Sequence, residues 1–178
     1  MKKTQWLLTL SLMAALLLPV QAIQAEESVP AQNVLEVETE VTRVQVAPEH
    51  LAEYEQAASA FLAHMPGAVI DYAVRERDDG RYQWTLLFTL EEQLGECEIV
   101  GGVFNERRVS LYAMPENALT AAQAMDVLKK EKGDVQILDL DLDHENGRLC
   151  YEGEAQMGQK RYEFTISVLG EMLEWERD

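Results

Sequence analysis

Apolar and polar positions alternate along most of this chain, and in two places the alternation gives way to helical spacing. Val34–Val46, "VLEVETEVTRVQV", has the period of a half-buried strand. Over "APEHLAEYEQAASAFLAHMPG" the period lengthens, and Leu51, Tyr54, Ala58, Phe61, Leu62 and Met65 fall on one stripe of a helix. Pro48 suits the first helical position, where its missing N–H is no loss, and Pro66-Gly67 stops the run. Alternation returns over Val69–Arg77, Tyr82–Leu90 and Gly95–Phe104, with Arg107–Ala113 a candidate fourth strand. "DDG" at Asp78–Gly80 signals a tight hairpin, and "MPEN" at Met114–Asn117 breaks the pattern as a linker does.

A second helix is expected from Thr120. Thr120 and Gln123 fit a capping box, in which hydroxyl and amide each satisfy the other's backbone N–H. Ala121, Ala124, Met125 and Leu128 form its apolar side, Lys129, Lys130 and Lys132 suit the negative end of its dipole, and Gly133 closes it. Strands follow at Val135–Asp143, Arg148–Gln156, Lys160–Val168 and Glu171–Glu176, with turns at "ENG" (Glu145–Gly147) and "MGQ" (Met157–Gln159).

The two halves therefore repeat one order of elements. "DDGRYQW" (Asp78–Trp84) lies on "ENGRLCY" (Glu145–Tyr151) at a shift of 67, and "CEIVGGVFNERRV" (Cys97–Val109) lies on "YEFTISVLGEMLE" (Tyr162–Glu174) at a shift of 65. The difference is expected in the hairpin tip, where "TLEEQLGE" is longer than "AQMGQK" and little packs against the chain. The fold class expected is α+β, two units each with a helix packed on an antiparallel sheet.

The N-terminus changes the picture of where the chain works. Lys2 and Lys3 precede an apolar run, Trp6–Leu18, and small residues follow Pro19; "VQA" ending at Ala22 and "IQA" ending at Ala25 both suit signal peptidase. The run is short of the ~20 residues that span a bilayer, so 1–25 is read as a cleaved secretory signal rather than a stable membrane anchor. Residues 26–33, "EESVPAQN", read as a flexible start. Without Lys2 and Lys3 the formal charge moves from −17 to −19. That disfavours nucleic acid and anionic lipid as partners, and permits cations or a basic protein.

Candidate chemistry is thin. "LDLDLDHENG" (Leu138–Gly147) places Asp139, Asp141 and Asp143 where a calcium loop has its first three ligands, but His144 stands where that loop needs Gly and Cys150 where it needs a bidentate Glu. As a strand, the same segment sends Leu138, Leu140 and Leu142 into a core and the aspartates to water, about 6.6 Å apart and too spread for one ion. Cys97 is expected to face inward, at the position of Tyr162, and Cys150 outward with Glu152 and Glu154. Whether the two meet in a disulfide is left open by the sequence. The three histidines sit on two helix positions and a hairpin turn, and no H-E-x-x-H, phosphate loop or paired-cysteine spacing occurs. No catalytic, cofactor or metal residue is nominated, and no enzymatic activity is expected.

Gly147–Asp178, "GRLCYEGEAQMGQKRYEFTISVLGEMLEWERD", resembles the PepSY domain, a small α+β module of thermolysin-like peptidase propeptides and of exported bacterial proteins. The features that carry the likeness are the helix Ala121–Lys132 and the strands Tyr151–Ala155, Tyr162–Ile166 and Gly170–Glu174; "SVL" before Gly170 departs from the family's Asp and small residues. The resemblance covers 118–178 directly and 45–113 through the repeat. It implies a degenerate PepSY-like domain at 34–114 and a clearer one at 115–178. It further implies a non-catalytic protein that binds a protein partner outside the cytoplasm, a peptidase being the candidate. Tyr151, Tyr162, Phe164 and Trp175 are the candidate partner-binding residues; alternation places most of them in the core, and Trp175 is the one least bound to it. The alternative function is an acidic envelope protein that holds cations or basic polymers loosely.

Overall fold

The first alternating run, expected as a single strand over Val34–Val46, reverses on itself. β1 (Leu35–Thr39) pairs antiparallel with β2 (Thr42–Val46), with Leu35 opposite Val46 and Thr39 opposite Thr42. A hairpin keeps the period of two in each arm, so periodicity alone does not distinguish it from one long strand. The computed structural model describes residues 35–39, 42–78 and 80–178. The expected signal segment and the polar start at 26–33 lie outside the described residues.

A 3-10 turn at Pro48–His50 leads into α1 (Leu51–His64), which turns Tyr54, Ala57 and Phe61 inward. Leu62, placed on the apolar stripe by its spacing, is 42% exposed, and Ala57 takes the inner position instead. Four strands follow in chain order as an antiparallel meander: β3 (Val69–Asp78), β4 (Arg81–Leu90), β5 (Gln93–Val100) and β6 (Val109–Ala113). The third strand, expected to reach Phe104, stops at Val100, where Gly101 and Gly102, with φ of 60° and 74°, turn the chain out of the sheet. α1 covers one face of this sheet, where Phe61 meets Phe88 at 4.7 Å between ring centroids and Tyr54 meets Trp84 at 5.4 Å. Leu86, Cys97 and Ile99 complete that core.

α2 (Ala121–Lys132) forms as its sequence dictates. Thr120 and Gln123 close the capping box in both directions, and Gly133 ends the helix at φ 93°. A second meander follows: β7 (Gln136–Glu145), β8 (Arg148–Met157), β9 (Lys160–Ser167) and β10 (Met172–Arg177), in the spatial order β10-β9-β8-β7. The β7–β8 turn has Asn146 and Gly147 both at positive φ, the geometry of a two-residue hairpin. The α2 side chains Ala124, Met125 and Leu128 pack with Leu140, Leu142, Tyr151, Phe164 and Ile166.

The 67-residue shift runs further than the sequence alignment suggested. It carries β3 onto β7, β4 onto β8 and β5 onto β9 end for end, and both second hairpins have two-residue tips, at 91–92 and 158–159. Each first strand bulges at the corresponding place, between Ile70 and Tyr72 and between Ile137 and Asp139. Cys97 therefore corresponds to Phe164, not to Tyr162. The length difference lies before the fourth strand, where residues 101–108 in the first half match only 168–171 in the second.

The bulge also corrects the reading of "LDLDLD". Leu140 and Leu142 are buried, but the extra residue breaks the alternation at Leu138, and Ile137 packs on the core in its place. β7 is an edge strand, and it lies across β3, β4 and β5 on the face of the first sheet that α1 leaves open. Val74, Leu87 and Leu94 of the first sheet thereby join the core of the second.

Candidate partner-binding surface

The four nominated aromatics separate into two pairs. Tyr151 and Phe164 are 1% and 2% exposed, so in this conformation they are core residues and offer nothing to a partner. The Tyr151 hydroxyl also donates to the Leu119 carbonyl at 2.9 Å, which fixes the segment that enters α2, and burial pushes its phenol pKa up. Tyr162 and Trp175 are half-buried and stack on each other, with ring centroids 4.6 Å apart and planes 15° from parallel. Lys132, in the last turn of α2, sits 5.2 Å from the Trp175 ring, a distance at which ammonium and π-face attract.

Trp175 stands at the end of a row that crosses the helix-facing side of the second sheet: Leu140, Gly153, Phe164, Trp175. Its strand, β10, is the outer strand and pairs only with β9 among the described residues. An outer strand presents unpaired N–H and C=O groups on its free side. Backbone hydrogen-bonding groups and a semi-exposed aromatic pair thus meet on one edge, and that combination suits the addition of an extended segment.

The opposite face of the same sheet is acidic. Asp141, Glu152, Thr165 and Glu174 form one cross-strand row, and Asp139, Glu154, Glu163 and Glu176 form the next. Arg161 answers Glu154 at 3.4 Å, and Arg148 reaches Glu171 at 3.3 Å, both on the surface. Burial first, then the neighbouring Glu145, Asp143 and Glu174, raise the Glu152 pKa. An open depression of about 600 Å³ lies on this side, lined by Glu145, Asn146, Arg148, Leu173, Glu174 and Glu176. With one apolar side chain in its wall it offers little to a drug-like or lipid ligand.

Both cysteines are free and fully buried. Burial pushes the Cys97 thiol up to about 12 and raises that of Cys150 as well, the reverse of what thiolate chemistry needs. His64 stacks on Phe104 and His144 meets the edge of Tyr112, each at the surface. No group of three His, Cys, Asp or Glu side chains among the described residues is disposed to hold a metal ion, and no described helix is long and apolar enough to cross a membrane.

One cluster is invisible in the sequence. Asp139, expected in water, faces the first sheet and hydrogen-bonds Glu76. Glu96 accepts the Leu142 N–H at 2.6 Å, and Asp141 lies close enough to Glu96 to raise its pKa.

Among known families, residues 118–168 match the one described as "Peptidase propeptide and YPEB domain", PepSY. No curated protein matches the chain. A solved structure from Clostridium difficile 630, described as a candidate lipoprotein, aligns over 70% of this chain and 92% of its own at 16% identity, with a TM-score of 0.39.

Proposed function

We propose that the chain is an exported, non-catalytic protein of two PepSY-like units, 34–114 and 115–178, which binds a protein partner outside the cytoplasm and restrains a peptidase. The two-unit reading is supported by the common order of helix and four-stranded meander, by the shift of 67 through three strands, and by the matched bulges. Export is supported by the secretory character of residues 1–25. The observation that carries partner binding is the outer edge of β10 with the Tyr162–Trp175 stack beside it.

An extended segment of the partner would add to β10 through main-chain hydrogen bonds, with one of its side chains resting on Trp175. To test this, the chain from Glu26 onward is immobilised and used to capture material from a secreted or envelope fraction at physiological salt, and the bound fraction is assayed for peptidase activity. A specific peptidase retained at that salt supports the reading. Recovery of no specific protein refutes it.

The carboxylates of Glu154, Glu163 and Glu176 on the outer face of the second sheet favour a second reading, a surface that holds cations or basic polymers loosely. Contacts of that kind are screened over about 10 Å at ordinary ionic strength. They would vanish with modest salt, whereas strand addition would survive it.

A further inference from the structure

Where β7 crosses the first sheet, the apolar seam of Val74, Leu87, Leu94, Leu140 and Leu142 is bordered by carboxyl groups from both sides. Glu76 accepts from Gln83 Nε2 at 2.9 Å and from the Thr85 hydroxyl, and it also hydrogen-bonds Asp139 across the seam. Two carboxyl groups in hydrogen-bond contact require a proton between them. Glu76 already accepts from the Gln83 amide and the Thr85 hydroxyl and is the anion, so Asp139 carries the proton. Asp139 Oδ1 is buried without a hydrogen-bond partner, which disfavours an ionised carboxylate there and outweighs the backbone hydrogen bond from Leu140 that favours one. Glu96 meanwhile caps a backbone N–H of edge strand β7 at Leu142.

The groups facing this cluster are acidic from nearly every element around it. Glu76 comes from β3, Glu96 and Glu98 from β5, Asp139, Asp141 and Asp143 from β7, and Glu152 and Glu154 from β8. β4 contributes the neutral Gln83 and Thr85. Arg108 pairs with Glu98, and Arg75, on β3, is held by Glu53 of α1 at 2.8 Å. Among the described residues Glu76, Glu96, Asp139 and Asp141 make no ion pair.

We propose that this seam is a proton-operated latch: a proton shared by Asp139 and Glu76 holds β7 against the first sheet in mildly acid surroundings, and its loss at alkaline pH loosens the two sheets from each other. Burial, reinforced by Glu76, pushes Asp139 up to about 8, while burial and the surrounding acids push Glu96 up to about 7 and Asp141 up to about 6. Glu76 moves the other way; burial opposes its ionisation, but its three hydrogen bonds outweigh that and hold it below its usual range. An acid whose folded pKa is raised binds its proton more tightly when folded, so its contribution is complete below the unfolded value near 4. It is lost as pH climbs through the folded value. The window is therefore about pH 4 to 8, and within it each proton so held shifts the folding equilibrium up to about tenfold per pH unit.

The test is urea unfolding of the chain from Glu26 onward across pH 5 to pH 9, beside Asp139→Asn, whose amide can donate to Glu76 at every pH. The wild type is expected to lose stability from pH 5 to about pH 8 and to level off beyond it, and Asp139→Asn to lose at least several-fold less in its folding equilibrium. Parallel curves for the two proteins, or a wild type that gains stability toward pH 9, would overturn the latch. Should Asp139→Asn fail to fold, amide exchange at Leu142 in the wild type decides, after correction for intrinsic base catalysis. Protection that falls between pH 6 and pH 9 supports the latch, and constant protection refutes it.

Discussion

Gly153 offers the sharpest test of the packing at the bulge. It pairs with Leu140 in the β7–β8 ladder, and the bulge brings the Asp139 carbonyl directly over it. A Cβ added at Gly153 would stand 2.1 Å from that oxygen and 2.8 Å from the carbonyl carbon, so Gly153→Ala must displace backbone, not a flexible side chain. Overpacking of this kind costs about 1–3 kcal/mol. Reduced freedom of the unfolded chain returns about 0.4–1 kcal/mol. The expected net loss is about 1–2 kcal/mol. At a urea slope of about 2 kcal/mol per molar, the midpoint should fall by roughly 0.5–1 M, read from the fluorescence of Trp84 and Trp175. A midpoint that is unchanged or higher would show that β7 does not run so close to Gly153, and the placement of Asp139 against Glu76 would fall with it.

Phe61→Ala empties the centre of the first core, where Phe61 is fully buried beside Phe88, and should cost about 3–5 kcal/mol in the same urea assay. Thr120→Ala removes one arm of the α2 capping box and should cost about 1 kcal/mol; the 3.4 Å reach from Gln123 N to the Thr120 hydroxyl places it toward the lower end of the range for such caps. Neither Cys97 nor Cys150 should react with a maleimide in the folded chain, and both should react in urea, as followed by mass spectrometry.

Much of this architecture is written in local chemistry. Thr120 and Gln123 announce the start of α2 because capping is satisfied within four residues, and Asn146-Gly147 announces the β7–β8 turn because both positions require φ above zero. The bulge at Leu138 is not legible, since one inserted residue leaves the composition of the strand unchanged while reversing which side chains face the core. The reversal inside Val34–Val46 is hidden for the same reason. Of the candidate surface, Trp175 is marked by its position near the end of the last strand as the aromatic least committed to the core, while Tyr162 depends on knowing that β9 and β10 are neighbours at one end of the sheet. The carboxyl seam needs contacts between residues some 40 to 60 positions apart along the chain, as between Glu96 and Leu142, which no local pattern encodes.

The most direct test of the binding account is a calorimetric titration of the captured peptidase with the chain from Glu26 onward, repeated with Trp175→Ala and at raised salt. One-to-one saturation is predicted, persisting as salt rises and weakened about 30-fold or more by Trp175→Ala, as for a well-packed interface anchor worth about 2 kcal/mol. Binding that leaves Trp175→Ala indistinguishable from the wild type, or that disappears on adding salt, would contradict recognition at the outer strand.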